Sequence, residues 1–238
     1  MISVYAVKMP KSIDVTTFNN LVDLVSVEKK KKIASYINKE DAYRTLLGDV
    51  MIRSVICKRY KISNQKIRYS YNIYGKPDWI EDKDFYFNIS HSGNWIVCIV
   101  GNVPVGTDIE QIRPIQLELI SQLFSMEEVM DLNSKTIIER INYFYDLWTL
   151  KESYVKAIGT GLSTSLNSFT ISKRGEGNII FNQDNVNSTY FFKQYNIDSD
   201  YKLSICATSN QFPNEVIQKN INDIIQDILE VDSFVNYS

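Results

Sequence analysis

Two different spacings of apolar residues run along the chain, and they separate predicted strands from predicted helices. The opening residues, from about 1 to 8, alternate apolar and polar positions, which predicts a strand. Over residues 39–60 the apolar positions Leu47, Met51 and Val55 recur every four residues, the spacing of one helix face. The first half of the chain therefore combines a strand with a long helix.

A hairpin is predicted in the same half. Residues 85–90 and 95–100 are predicted strands, and the Ser-Gly-Asn between them is typical turn chemistry. A further strand is predicted over 105–110, after a Gly-Asn-Val-Pro turn. A charged helix is predicted over about 25–37, ahead of the long one.

The second half is predicted to hold the clearest helix. It runs over 142–158 and ends at the Gly-Thr-Gly of residues 159–161. A shorter helix is predicted after Pro114, and an amphipathic helix near 221–229 closes the chain. The other apolar stretches of this half are short predicted strands, at 168–172, 178–181, 188–193 and 201–207.

Strands and helices are mixed in a similar order in both halves. This order predicts an α+β fold of two similar lobes, residues 1–103 and 104–238. The 238 residues are enough to bury a substantial core.

Composition narrows the class of protein. Hydrophobic residues make up 44% and charged residues 23%, as in folded globular proteins, and the net charge of −2 argues against a protein that coats nucleic acid. No apolar window is long enough to predict a membrane span, and the first residues lack the pattern of a signal peptide. Three well separated cysteines without a CxxC spacing fit a reducing compartment. We therefore expect a cytoplasmic protein.

Two carboxylates stand out on the strand predicted over 105–110. Because side chains alternate along a strand, Asp108 and Glu110 share one face and Ile109 takes the other. Two acids on one face repel each other unless a cation lies between them, and magnesium is commonly held by a few carboxylates together with substrate phosphates. A solvated strand edge is the alternative explanation.

The helix over 142–158 separates an apolar stripe from a polar one. Leu150, Tyr154 and Ala157 share the apolar stripe, whereas Glu152 and Lys156 lie together nearly opposite, four residues apart. This acid and lysine either take part in chemistry or form an ordinary surface ion pair.

The single histidine and a group of lysines are candidates for binding phosphate. His91 lies at the end of a predicted strand between two serines, a position that suits a phosphate contact, a base or a structural role. Residues 29–32 are four consecutive lysines, and Lys76 lies between a glycine and a proline. Such lysines supply point charges to a polyanionic ligand, or they are simply solvated.

Four motifs in order make the sequence resemble the phosphopantetheinyl transferases of the surfactin-synthetase-activating (Sfp-like) type. They are Gly-Lys-Pro at 75–77, Phe-Asn-Ile-Ser-His-Ser at 87–92, Gly-Thr-Asp-Ile-Glu at 106–110 and Trp-Thr-Leu-Lys-Glu-Ser-Tyr-Val-Lys at 148–156. The resemblance covers nearly the whole chain and fades after about Phe212. Thr107 departs from the Val or Ile that is more usual in the family. The resemblance implies two similar lobes with the active site in the cleft between them.

The resemblance also implies a magnesium-dependent transfer of the phosphopantetheine arm of coenzyme A, with adenosine 3′,5′-bisphosphate as the leaving group. Asp108, Glu110 and Glu152 would hold the magnesium, for which manganese can substitute. Glu152 would also accept the proton of the attacking serine hydroxyl, directly or through a metal-bound water, and Lys156 would stabilise the leaving group.

Coenzyme A itself would be bound through its phosphates. The resemblance assigns this contact to seven residues: Lys29, Lys32, Thr45, Lys76, Ser90, His91 and Lys156. It also places Glu128 near the metal site. The segment 115–124 is either the docking surface for the carrier protein or part of the core, by its apolar residues Leu117, Ile120, Leu123 and Phe124.

The expected partners are apo carrier domains of peptide, polyketide or fatty-acid synthases, including those of nonribosomal peptide and antibiotic synthesis. The protein is expected to act as a monomer, without nucleic acid and without a membrane. The alternatives are a transferase restricted to the fatty-acid carrier, a carrier-binding module without catalysis, and an unrelated magnesium phosphohydrolase.

Overall fold

The structure is a computed structural model that describes residues 1–115, 120–174, 177–182 and 189–236. The strands in these ranges are β1 (Ser3–Lys8), β2 (Tyr69–Tyr71), β3 (Pro77–Trp79), β4 (Tyr86–Ser92), β5 (Trp95–Gly101), β6 (Val105–Gln111), β7 (Thr170–Arg174), β8 (Asn178–Asn182), β9 (Phe191–Tyr195), β10 (Tyr201–Ala207) and β11 (Ile217–Lys219). The helices are α1 (Val15–Asp23), α2 (Val27–Ala34), α3 (Lys39–Tyr60), α4 (Ile120–Leu123), α5 (Met126–Ser134), α6 (Ile137–Ile158) and α7 (Ile221–Asn236).

Two sheets form the centre of the described fold. The first has the strand order β11-β1-β5-β4 and the second the order β6-β10-β9, while β2–β3 and β7–β8 are separate hairpins. Apolar residues face each other across the strands, as Val4 faces Ile99 in the first sheet and Ile109 faces Leu203 in the second. The α+β class is therefore confirmed, whereas the duplication into two similar lobes stays a prediction.

The ends of the two longest helices follow from local chemistry. The Asn38 side chain accepts the N–H of Glu40 at the start of α3. At the start of α6, Thr136 and Glu139 form a reciprocal capping box. This helix ends at Gly159, whose φ of 76° is a left-handed conformation that glycine adopts without strain. The end at Gly159 is where the sequence predicted it.

Buried apolar clusters join these elements. One cluster packs α3 on the first sheet, and another contains Val4 and Val97 of the first sheet together with Ile109 and Leu203 of the second. The two sheets therefore share a core. A third cluster packs α6 on the second sheet, and the predicted apolar stripe of α6, which includes Leu150, is buried in it.

The chain returns to the first sheet at its end. β11 pairs with β1 in parallel, and Ile224 and Ile228 of α7 lie in the core around α3. Asp227 of α7 accepts hydrogen bonds from Ser54 and Lys58 of α3. β11 and α7 therefore pack with the first half, although the predicted second lobe of 104–238 included them. The boundary at residue 103 stays a prediction for the rest.

Some predicted elements differ from the structure. The sequence patterns did not predict α1, α5 or β11, and α6 begins at Ile137 instead of residue 142. Of the helix predicted after Pro114, α4 is the described part, and Leu117 lies outside the described residues. The strand predicted over 188–193 is found at Phe191–Tyr195, and residue 188 also lies outside them. No helix in the described ranges has both the length and the apolar character needed to cross a bilayer.

Candidate active site

The two sheets meet along a line where side chains replace a backbone ladder. Alternate side chains of β4 accept hydrogen bonds from alternate backbone N–H groups of β6. The pairs are Thr107 with Asn88 (3.0 Å), Ile109 with Ser90 (3.3 Å) and Gln111 with Ser92 (3.1 Å). We call this contact the β4–β6 seam. Side chains and backbone N–H groups both alternate in direction along a strand, with a period of two residues. The polar side chains on one face of β4 can therefore accept the N–H groups that β6 leaves unpaired at its edge.

The serines of the seam also hold the two predicted metal acids. Ser90 Oγ donates to Asp108 Oδ1 at 2.9 Å, and Ser92 Oγ donates to Glu110 Oε2 at 2.7 Å. Both carboxylates therefore lie on the β4 side of β6. Ile109 between them is buried in the core that the two sheets share, as the alternation predicted.

Close packing of α6 on β6 brings Glu152 and Lys156 to these acids. A Cβ on Gly106 would overlap the backbone of Ser153 and Ala157, so glycine is what permits the approach. Lys156 Nζ forms an ion pair with Asp108 Oδ1 at 2.5 Å. Lys156 therefore contacts Asp108, and Glu152 on the same helix face lies near enough for the charge of Asp108 to act on its pKa.

The pKa values of Asp108, Glu110 and Glu152 are all raised. Burial raises the pKa of Asp108, although Lys156 and Ser90 act in the opposite direction. Burial, followed by the charge of Asp108, raises the pKa of Glu110 to about 7. The same two causes raise the pKa of Glu152. Three raised pKa values at one place mean that the chain by itself neutralises these carboxylates incompletely.

These acids fit a hard divalent cation. Asp108 Oδ2 is buried without a hydrogen-bond partner among the described residues, and it lies beside two further carboxylates. Oxygen donors of this kind are the ligands that magnesium prefers. The same residues contain no group of three or more His, Cys, Asp or Glu side chains that is already arranged to hold a metal. The fit therefore rests on the donor set and the orphaned oxygen, and a bound ion would compete with Lys156 for Asp108.

A cleft lies beside the first sheet, between α2 and the turn after β2. Its volume is about 360 Å³, and its lining includes Lys29, Lys32, Gly75 and Pro77. Lys29 forms an ion pair with Asp49 at 3.2 Å. Two of the predicted phosphate-binding lysines and the predicted Gly-Lys-Pro loop therefore share one cleft, within the 300–1,000 Å³ or so that is usual for ligand sites.

Thr45 and His91 lie elsewhere on α3 and β4. Thr45 Oγ1 donates to the hydroxyl of Tyr36 at 3.1 Å, and Thr45 is not among the residues that line the cleft. His91 is exposed by surface area, yet enough protein surrounds it that desolvation lowers its pKa, and the charges of Lys156 and Arg44 lower it further. Two cations therefore lie near His91, where a phosphate could also bind, although Asp41 acts on its pKa in the opposite direction and pairs with Arg44.

The side chain of Lys76, a predicted phosphate contact, donates to backbone carbonyls. Its Nζ donates to three backbone carbonyls, among them those of Lys156 at 2.7 Å and Ala157 at 3.1 Å. Asn72 on the same hairpin donates to the carbonyl of Gly159 at 2.8 Å. Carbonyls at the end of a helix lack intrahelical donors, so Lys76 and Asn72 satisfy them. The Lys76 side chain therefore joins the β2–β3 hairpin to the end of α6, and its predicted contact with a phosphate of coenzyme A stays a prediction.

Glu128 also lies away from the cluster of acids. Glu128 Oε2 forms an ion pair with Lys151 at 2.8 Å and accepts the N–H of Ser125, while Oε1 accepts the N–H of Ile171. Both charged side chains are almost fully buried. The expectation that Glu128 lies near the metal site is therefore wrong, because the residue caps α5 and pairs with α6.

The segment 115–124 is described only in part. Ile120 and Phe124 are buried in the core around α6, and Leu123 packs against it. These three residues are therefore part of the core, as the second of the two interpretations of this segment had it. Leu117 lies outside the described residues, and its proposed contact with a carrier stays a prediction.

Sequence reasoning missed the role of Asn88 and Ser92 in the seam. The signal was present, because Asn88, Ser90 and Ser92 repeat every two residues on a strand, just as Asp108 and Glu110 do. What the sequence lacks is any sign that these two strands would lie side by side.

The two halves of the chain match two family models. Residues 13–102 match "4′-phosphopantetheinyl transferase, N-terminal", and residues 104–206 match the "4′-phosphopantetheinyl transferase superfamily". Relatives of full length match as well, and the chain belongs to the 4′-phosphopantetheinyl transferase family.

Particular relatives agree over nearly the whole chain. The 4′-phosphopantetheinyl transferase Sfp of Bacillus subtilis (strain 168) is 37% identical over 222 residues, which cover 93% of this chain and 99% of that protein. The 4′-phosphopantetheinyl transferase gsp of Aneurinibacillus migulanus is 39% identical over 219 residues, with 92% and 91% covered. A solved holo-(acyl-carrier-protein) synthase from Bacillus anthracis, in complex with CoA (3′,5′-ADP), overlaps 44% of this chain at 16% identity and a TM-score of 0.39.

Proposed function

We propose that this protein transfers the 4′-phosphopantetheine arm of coenzyme A to a serine hydroxyl of an apo carrier protein, and releases adenosine 3′,5′-bisphosphate. The observation that carries the proposal is the meeting of Asp108, Glu110, Glu152 and Lys156 where the two sheets join. Membership of the 4′-phosphopantetheinyl transferase family supports it.

Magnesium, or manganese in its place, is part of the proposal. Asp108, Glu110 and Glu152 would hold the ion, which supplies positive charge to the phosphates of the substrate. The orphaned Oδ2 of Asp108 and the raised pKa values of Glu110 and Glu152 support this assignment.

The chain's own residues carry the proton and orient the groups. The serine oxygen forms a bond to the phosphorus of the pantetheine arm while the bond from that phosphorus to the bridging pyrophosphate oxygen breaks. Glu152 accepts the hydroxyl proton. Lys156 lies four residues further along α6, where its ammonium can neutralise or protonate the departing oxygen.

Coenzyme A would lie along the cleft and the end of β4. Lys29 and Lys32 line the cleft and supply point charges to phosphates. Ser90 and His91 lie on β4, where Ser90 accepts a hydrogen bond from Lys156 and the charge of Lys156 acts on His91. Thr45 and Lys76 stay in the proposal as further phosphate contacts.

The oligomeric state, cellular location and partners are proposed from the family resemblance. We propose a monomer in the cytoplasm that acts on carrier domains of peptide, polyketide or fatty-acid synthases, without nucleic acid and without a membrane. A transferase restricted to the fatty-acid carrier is the alternative. A panel of carriers of the three types in one assay separates broad from restricted specificity.

Chromatography of the reaction mixture tests the transfer. With coenzyme A, magnesium and an apo carrier, adenosine 3′,5′-bisphosphate should appear in step with the loss of apo carrier, and none should appear without the carrier. Free phosphate instead of the bisphosphate would favour a phosphohydrolase. Binding of the carrier without any product would favour a carrier-binding module.

The Glu152→Gln variant tests the catalytic assignment. It should lose transfer but still bind coenzyme A in calorimetry, because the phosphate-binding residues are untouched. Glu127→Gln is a matched control, since Glu127 is an exposed acid on α5. Near-normal turnover of Glu152→Gln would mean that another group accepts the proton.

A further inference from the structure

One hydrogen-bonded unit occurs twice along the β4–β6 seam. Ser90 Oγ accepts the N–H of Ile109 at 3.3 Å and donates to Asp108 at 2.9 Å. Two residues further along, Ser92 Oγ accepts the N–H of Gln111 at 3.1 Å and donates to Glu110 at 2.7 Å. Each serine therefore fixes one acid together with the backbone that follows it.

The two serines differ in their other contacts. Ser90 is buried and also accepts a hydrogen bond from Lys156 at 3.0 Å, so it adjoins the proposed phosphate site. In the part of the chain that the structure describes, the hydroxyl of Ser92 bonds only to β6. A change at Ser92 therefore affects the acid without removing a proposed substrate contact.

The bond from Ser92 restricts the orientation of the Glu110 side chain. Glutamate has three side-chain torsions, and holding it in one orientation has an entropic cost that a fixed partner reduces. Hydrogen bonds to charged groups are short and strong, and the 2.7 Å bond to Oε2 is of that kind. Loss of a partner that orients a metal ligand commonly lowers metal affinity about 10- to 100-fold.

We propose that Ser92 is a positioning residue, which orients Glu110 so that it can hold the divalent ion. The inference rests on the proposed metal site. It assigns a distinct function to the last serine of the Phe-Asn-Ile-Ser-His-Ser motif, next to residues proposed to contact phosphate. Ser92 touches neither coenzyme A nor the reacting atoms in this proposal.

The seam offers a matched control. Asn88 accepts the N–H of Thr107 at 3.0 Å in the same seam, but it contacts neither acid. Asn88→Ala therefore removes one bond between the sheets and leaves both carboxylates with their serines. Ser92→Ala removes a bond between the sheets and the bond to Glu110 at once, while Ser92→Thr keeps the hydroxyl.

Manganese binding measures the effect directly. Full-length variants are titrated with Mn²⁺ in the presence of coenzyme A, and the free ion is followed by electron paramagnetic resonance. The dissociation constant of Ser92→Ala should rise about 10- to 100-fold, as it does when residues that orient metal ligands are removed elsewhere. Ser92→Thr and Asn88→Ala should stay near the wild-type value. At saturating metal the turnover of Ser92→Ala should recover, because only metal binding is impaired.

The outcomes separate this inference from the proposed function. A wild-type dissociation constant in Ser92→Ala would overturn the positioning role and leave the metal site standing. An equal rise in Asn88→Ala would also overturn it, because the effect would then come from the seam and not from Glu110. If the wild-type protein bound no manganese, the proposed metal site would fail, and the inference with it. Thermal unfolding of each variant verifies that the titrated protein is folded.

Discussion

Glu128→Gln should destabilise the fold strongly without altering the metal requirement. Glu128 accepts three hydrogen bonds, from Lys151 at 2.8 Å, from the N–H of Ser125 at 2.8 Å and from the N–H of Ile171 at 2.7 Å. A glutamine offers one oxygen and one amide, so a donor would face another donor. The variant also leaves the ammonium of Lys151 buried without its counter-ion, although two carbonyls and the ring of Phe169 remain around it.

The magnitude follows from burial. The exposed fractions of the Lys151 and Glu128 side chains are 0% and 1%, so solvent screens the pair very little. Removing one partner of such a pair costs about 3–5 kcal/mol. In a chain of this size each kcal/mol lowers Tm by about 2–4 °C, so the loss should be about 6–20 °C.

Urea unfolding followed by circular dichroism measures the loss in the free energy of unfolding. Glu127→Gln, on the exposed side of α5, is the control. Glu128→Gln/Lys151→Met should recover part of the stability, because both buried charges are then absent. The magnesium dependence of folded Glu128→Gln should match the wild type. A loss below about 1 kcal/mol would refute the reasoning on the buried pair, and a weakened magnesium dependence would return Glu128 to the metal site.

Three other changes have defined outcomes. Burial lowers the pKa of Lys76 from 10.5 to about 8, so the unfolded chain binds more protons between those values. The stability of the wild type relative to Lys76→Met, from urea unfolding, should therefore rise with pH across that window, and a flat difference would contradict the buried ammonium. His91→Ala should weaken coenzyme A binding about 10- to 100-fold in calorimetry, as loss of a hydrogen bond to a charged group does; an unchanged dissociation constant would exclude this contact. Asp227→Asn weakens the contacts of α7 with α3 and should speed hydrogen exchange in residues 221–236, whereas unchanged exchange would mean that apolar packing alone holds the helix.

Local sequence patterns were enough for elements whose chemistry is local. The four-residue spacing over 39–60 coincides with α3, and the alternation in SVYAVK coincides with β1. Alternation also placed Asp108 and Glu110 on one face of β6. In each case the spacing of residue types in the sequence has the period of the element itself. Burial is less periodic than the sequence, because every residue from Leu46 to Cys57 of α3 is buried.

Capping chemistry was a local signal that the periodicity argument did not use. Ser125 and Glu128 are three residues apart, as are Thr136 and Glu139, and both pairs form capping boxes. The first would have predicted α5 and a structural role for Glu128. The second would have placed the start of α6 correctly.

The remaining features depend on contacts between distant parts of the chain. Lys76 donates to carbonyls about eighty residues away in the sequence, so a lysine in a Gly-Lys-Pro turn gives no local sign of these contacts. The three residues of β11 are too few to show a period, and their position is set by β1 at the other end of the chain. The seam likewise depends on β4 lying beside β6, which neither strand encodes alone.

The intact mass of the acceptor tests the central claim most directly. An apo carrier protein incubated with this protein, coenzyme A and magnesium should gain the mass of one phosphopantetheine group, and the added group should map to a single serine. Chelation of the metal or Glu152→Gln should abolish the gain. An unchanged mass for carriers of peptide, polyketide and fatty-acid synthases alike, with folded protein and magnesium present, would contradict the account.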